Sequence, residues 1–313
     1  MQRSIAARLR WLLASLLLLA GSSLAAEAHR QVAITIDDLP RGGDGGAYDL
    51  AGMRDMTKKL LSPFREQKIP VIGFVNAGRV QIDEQGLRTI LDLWLDAGAD
   101  LGNHSYSHPD INSVPLDVYT ADIVRGEGPI RAALAARGKT LLYYRHPFLH
   151  TGPTPETKKG MQEFLDQHGY RVAPVTLDDA DYEYAVGYLM PGLRERVQRE
   201  YVPYMESIVD FFEKRSVEVV GHEIPQILLI HASQMNADLM PELLRMFRKR
   251  GYEFVTLAQA LKDPAYQLPE GYVGRGGFSW IHRWSKTKGM APKGEPDPPE
   301  WVAKAFEARA VRP

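Results

Sequence analysis

Between Gln31 and Ala260 the chain alternates short runs rich in β-branched and aromatic residues with longer amphipathic stretches. Strands are expected over 31–36, 71–75, 100–101, 141–144, 171–177, 226–230 and 253–255, and helices over 53–67, 86–97, 116–137, 155–168, 193–214 and 239–249. That rhythm reads as βα units around a parallel sheet, with no internal repeat of fixed period. Asp37, His104, Arg145, Asp178 and His231 each fall at or just beyond the carboxyl end of an expected strand, where α/β folds build their sites. A closed barrel gathers such ends more readily than an open sheet. The expected architecture is therefore a single α/β domain, a distorted (β/α) barrel of seven strands spanning residues 29–265.

Residues 266–313 change character to a Gly-, Pro- and Trp-rich extension with a short helical pattern over 300–310. Such a segment cannot bury a core alone, so it is expected to wrap the barrel. Trp280, Trp284 and Trp301 either pack there or stack on sugar rings, and packing is the commoner fate of such residues.

The amino terminus carries Arg3, Arg8 and Arg10, then an apolar run from Trp11 to Ala20, then small residues. This is the pattern of a secretory signal peptide over residues 1–28, with cleavage after Ala25, Ala26 or Ala28, and it points to an exported protein, periplasmic or secreted. No later segment approaches the roughly 20 apolar residues of a spanning helix, so stable membrane insertion is not expected. Formal net charge is −1, which gives no electrostatic case for nucleic acid. The chain has no cysteine, so any metal must be held by His and carboxylate side chains.

The chemistry is concentrated in a few short segments. His104 and His108 stand four apart, within reach of one cation on a turn or tight loop. Pro109 disfavours a continuing helix after them. With one carboxylate from the Asp37–Asp38 pair they complete an open divalent-metal site, leaving the other aspartate near the water that such a cation activates. Zinc is the expected ion for this donor set, while cobalt, nickel or manganese would also fit.

Taken in order, Thr35-Ile36-Asp37-Asp38, His104-Ser105-Tyr106-Ser107-His108, Arg145-His146-Pro147, Asp178-Asp179-Ala180-Asp181-Tyr182 and Leu229-Ile230-His231 resemble the motifs of the carbohydrate esterase family 4 polysaccharide deacetylases. The resemblance covers about Gln31 to Ala260. It implies that Asp38, His104 and His108 hold the metal, that Asp37 is the base, and that His231 is the acid oriented by Asp181. Arg145 would aim Asp37, the Phe148 N–H would meet the developing oxyanion, and Leu229 would lie beside the acetyl methyl. Three positions depart from the family pattern: Leu39 and Leu149 replace glycines, and Tyr182 stands where Trp is common. These shape the cleft and leave the glycan open.

The implied activity is metal-dependent hydrolysis of N-acetyl groups on an oligo- or polysaccharide such as peptidoglycan, chitin-like or poly-N-acetylglucosamine chains, releasing acetate. An O-acetyl esterase on xylan-like glycans and a small-amide hydrolase are the rivals on the same fold. A non-catalytic glycan-binding domain is the rival of another class, and loss of the base or acid would be its mark.

Overall fold

The computed structural model describes residues 30–80 and 82–310. The expected signal peptide lies outside the described residues. Strand β1 (Gln31–Leu39) is the axis of the fold: all but its first residue are buried, as expected of a parallel strand covered on both faces. It pairs in parallel with β2 (Val71–Val75) on one side and with β6 (Gln226–His231) on the other. From β2 the sheet continues through β3 (Asp100–Asn103) and β4 (Tyr143–Tyr144) to β5 (Arg171–Val172).

One segment closes the ring. Arg171 and Ala173 donate to the carbonyls of Leu142 and Tyr144, while Leu177, a few residues on, accepts from Leu229 N–H and pairs with Leu228. The same stretch of chain thus begins on β4 and ends on β6. The sheet has seven strands, but β7 (Glu253–Phe254) is not a stave in this path; it pairs only with the start of β1. The expected barrel is present, with a broken strand as its seam.

Helices cover the outside. Helix α1 (Leu50–Gln67) starts where the Asp49 side chain accepts the Gly52 N–H, and it buries Met53, Met56, Leu60 and Phe64 against the sheet. Truncating Leu60 to alanine would cost about 2–5 kcal/mol, because a close-packed interior collapses only partly around the void. Helices α2 (Glu84–Asp96) and α4 (Pro155–Gln167) are capped likewise, by Asp83 and Thr154, while α3 (Leu116–Ala135) starts after Pro115 with no side-chain cap. Helix α5 (Asp181–Tyr188), absent from the sequence reading, starts at an acidic residue, which suits the positive end of a helix. The long α6 (Arg194–Val220) runs past its expected end, and α7 (Gln234–Lys249) is capped by Ser233.

After the short helix α8 (Leu257–Ala260), the extension forms α9 (Trp280–Thr287) and α10 (Glu300–Ala310). It is bound into the barrel: Trp280 N–H donates to Val175, and the fully buried Arg283 donates to Thr151 Oγ1 and to the Leu149 carbonyl. Trp280 and Trp284 are buried, and Trp301 packs beside Tyr184 with its Nε1–H on Glu200. Packing, the commoner fate, therefore holds for Trp280 and Trp284, while the half-buried Trp301 carries the Arg196 guanidinium over its ring. Among the described residues no helix is long and apolar enough to cross a membrane.

Candidate active site

The carboxyl ends of β1, β3, β4 and β6 open into one cavity of about 600 Å³. Its wall includes Asp37, Asp38, His104, His108, Phe148, Tyr182, Leu229 and His231, so the expected site residues other than Arg145 and Asp181 line it directly. Those two lie immediately behind it, fully buried.

The strand register sets the geometry. Asp37 stands beside His231 across the β1–β6 pair. Asp38 sits at a register shift within β1 and takes a left-handed backbone (φ 64°), which turns its carboxylate away from that of its neighbour. On β3, Asn103 accepts the Ser105 N–H through Oδ1, and Ser105 Oγ accepts the His108 N–H. The irregular loop so formed has Ser105 and His108 at positive φ, and it brings the two imidazoles to 4.9 Å between centroids.

Asp38, His104 and His108 each offer one ligand atom, and all three lie within 4.8 Å of one another. Asp38 Oδ1 is 3.7 Å from His104 Nε2 and 3.6 Å from His108 Nε2, and it is buried without a hydrogen-bond partner. His104 Nδ1 lies 2.8 Å from the Arg145 carbonyl, which only accepts, so Nδ1 carries the proton and Nε2 the lone pair. Burial, and then the neighbouring His108, hold the His104 pKa well below the usual imidazole range; burial likewise takes His108 down to about 4. Two neutral imidazoles and an orphaned carboxylate oxygen fit a divalent cation.

Asp37 is positioned differently. Its Oδ2 lies 3.5 Å from Arg145 Nη1 and 3.6 Å from His104 Nε2, and Oδ1 has no partner. Burial pushes its pKa up to about 6, against the pull of the Arg145 guanidinium. Arg145 is itself fixed by a hydrogen bond to Thr35 Oγ1 (2.9 Å) and by the Phe74 ring 4.7 Å beneath it. One residue therefore orients two others: its carbonyl fixes the His104 tautomer and its side chain faces Asp37.

Across the cavity, His231 Nδ1 is 2.7 Å from Asp181 Oδ1. Asp181 Oδ2 also accepts the His231 backbone N–H (2.8 Å) and Asn236 Nδ2–H (2.7 Å). Burial alone would lower the His231 pKa, but the Asp181 carboxylate overrides it and raises the ring to about 10. His231 is then an imidazolium at neutral pH, its Nε2–H still available.

Phe148 sits in a tight turn with φ 56°, half-exposed, its ring edge-on to His108 at 4.4 Å. Leu149, at a position where the family pattern has glycine, keeps a left-handed backbone (φ 55°). The extension presses on this turn: a Cβ on Gly277 would meet the Phe148 carbonyl at 1.8 Å, so only glycine fits there. Tyr182 is partly exposed, its ring 5.9 Å from His231.

Several contributors escaped the sequence reading. Arg79, beyond the end of β2, forms an ion pair with Asp38 Oδ2, and Asn76 donates to the His104 carbonyl. The strand-end signal that exposed Asp37 and His104 applied equally to β2. Asn236, on α7, carried no such signal. Asp178, expected at a strand end, lies on the wall with its pKa raised to about 7 by burial, with Glu295 adding to the rise.

A parallel barrel holding a three-ligand cluster, a buried carboxylate and a carboxylate-held imidazole at its carboxyl end has the layout of a metal-site hydrolase. The sequence narrows the class: residues 25–173 match the family model described as polysaccharide deacetylase, and the chain resembles that family in sequence and in fold. The matched segment holds Asp37, Asp38, His104, His108 and Arg145, whereas Asp181, His231 and the extension lie beyond it.

The structure is similar to the chitin deacetylase of the fungal pathogen Colletotrichum lindemuthianum (22% identity, 77% of this chain and 90% of that one, TM-score 0.52). It is also similar to a polysaccharide deacetylase from Bacillus cereus (19% identity, 72% and 91%, TM-score 0.51). A weaker likeness, with TM-score 0.48 and 14% identity over 75% of this chain and 66% of that one, is to a CE4 family pseudoenzyme from Bacillus anthracis. No curated protein matches the chain in sequence.

Proposed function

We propose that the protein hydrolyses N-acetyl groups on an oligo- or polysaccharide and releases acetate. The observation that carries this reading is the opposition of two tuned groups, Asp37 raised to about 6 and His231 raised to about 10, facing a His-His-Asp cluster across one cavity. A divalent cation held by Asp38, His104 and His108, for which we favour zinc, would polarise the acetyl carbonyl and acidify water.

The chain's own residues do the rest. Asp37, kept ionised above about pH 6 and held off the cluster by Arg145, takes a proton from the attacking water. The Phe148 N–H faces the oxygen on which charge develops, a donor type worth about 3–4 kcal/mol. Amide nitrogen is a poor leaving group until protonated, and His231 delivers that proton while Asp181 holds the ring. Leu229 supplies an apolar surface for the acetyl methyl.

An acid poised in this way favours amide over ester cleavage, because an alkoxide leaves with less help. The glycan-binding alternative is disfavoured because both the base and the acid are present. Metal-reconstituted protein should release acetate from N-acetylated glycans faster than from O-acetylated ones, and metal analysis should find one ion per chain. If His231→Ala retained most activity, the ester reading would replace this one. We read residues 1–28 as an export signal; a mature chain starting near residue 26 or 29 in the periplasmic or secreted fraction supports this, and an intact Met1 in cytoplasm refutes it.

A further inference from the structure

The cavity wall is not made by the barrel alone. Glu295, Pro296, Asp297, Pro298, Phe306 and Arg309, all from the extension, line it as well. Glu295 is tied to His282 Nε2 at 2.7 Å, which anchors the start of this stretch to α9. Helix α10 is then seated by the buried Val302 and Ala305, with Trp301 and Ala305 against Gly187 of α5. From this seat Phe306 meets the Tyr182 ring edge-on at 5.3 Å, and Arg309 reaches the loop after β1, its guanidinium 3.4 Å from the place a Gly43 Cβ would occupy. Gly42 of that loop lies in turn against His231 and Asp38.

The stretch therefore runs along the His231 side of the cavity, from the Tyr182 wall to the Gly42–Gly43 wall. We infer that residues 295–309 act as an end-wall that makes the groove blind on its His231 side, so that the protein acts on the terminal sugar of a chain or on short oligosaccharides, with Phe306 and Arg309 as the specificity-determining residues. This rests on the deacetylase reading above and adds the form of the substrate to it. A wall selects by obstruction: an interior sugar brings a second glycosidic neighbour that must clash with Phe306 or displace the helix, whereas a terminal sugar does not.

Phe306→Ala and Arg309→Ala test it, since neither residue belongs to the reacting set. With metal-loaded protein, wild type should remove acetate from one end of an N-acetylglucosamine tetramer, read by mass spectrometry of the products. It should act on soluble glycol chitin at least about tenfold more slowly per acetyl group. The variants should gain about fivefold or more on the polymer, begin to deacetylate interior residues, and stay within about twofold on the tetramer. Equal wild-type rates on both substrates, or an unchanged product pattern in both variants, would overturn the end-wall while leaving the deacetylase reading intact. If neither substrate loses acetate, the deacetylase reading falls. The wall is then judged by equilibrium binding: tetramer bound in preference to polymer, with the preference lost in Phe306→Ala, upholds it, and equal binding removes it.

Discussion

His104 and His231 line the same cavity from the ends of β3 and β6, with β2 and β1 between them, and are tuned in opposite directions. His104 is buried and His231 is half-buried, yet both use Nδ1 in a hydrogen bond, and the two bonds are nearly equal in length, 2.8 Å and 2.7 Å. What differs is the acceptor. A neutral carbonyl, that of Arg145, meets His104 and cannot offset the cost of burying a charge, so the ring stays neutral and keeps a lone pair on Nε2. A carboxylate, that of Asp181, meets His231 and offsets it with charge to spare. The partner behind the ring, more than the burial in front of it, thus decides whether a histidine is a ligand or an acid.

The severest test removes the ligand side. His104→Ala should lose the metal and lower acetate release by about a thousandfold or more, whereas Asp37→Asn should lose turnover to a similar degree and keep the metal. Metal stoichiometry alongside kcat separates the two. A His104→Ala protein with full metal content would show that the cluster is not the binding site.

The next test exchanges the acceptor behind the acid. Asp181→Asn leaves a hydrogen bond but no charge, and should cut turnover about a hundredfold. It should also move the alkaline limb of the pH–rate profile from about 10 down toward the ordinary imidazole range. A role in packing alone would not move that limb.

The same contrast has a stability consequence. His231 has a folded pKa above its unfolded one, so its contribution is fully present below about pH 6.5 and is lost as pH rises toward about 10. The stability of wild type should therefore fall across that window more steeply than that of Asp181→Asn, as followed by denaturant midpoint. A smaller effect is expected from Asn236→Ala, which removes one donor to Asp181; a loss of about 1 kcal/mol in unfolding free energy, with a modest drop in kcat, is expected.

The ligand side was legible in the sequence because its signals are local. Asp37–Asp38 and His104–His108 are adjacent or four apart, each on a strand end marked by a β-branched or apolar run. The acid side needed long-range information: Asp181 and His231 are 50 residues apart, and the pairing of Thr176 and Leu177 with β6 helps bring them together. Here the family resemblance supplied what spacing did not. Arg79 was missed because a charged residue in a loop usually faces water, and nothing local marks its reach to Asp38. The seam at 171–177 reads as one strand in sequence, since a switch of partners midway leaves the apolar pattern unchanged. In the extension, aromatic content alone does not distinguish a buried tryptophan from one that binds sugar.

The hold of Arg283 and Gly277 on the Leu149 carbonyl and the Phe148 turn sets an order of assembly. The turn lies near the middle of the chain, yet its supports lie more than a hundred residues later. A nascent chain can thus form every strand of its barrel before the Phe148 turn gains the two contacts that hold it.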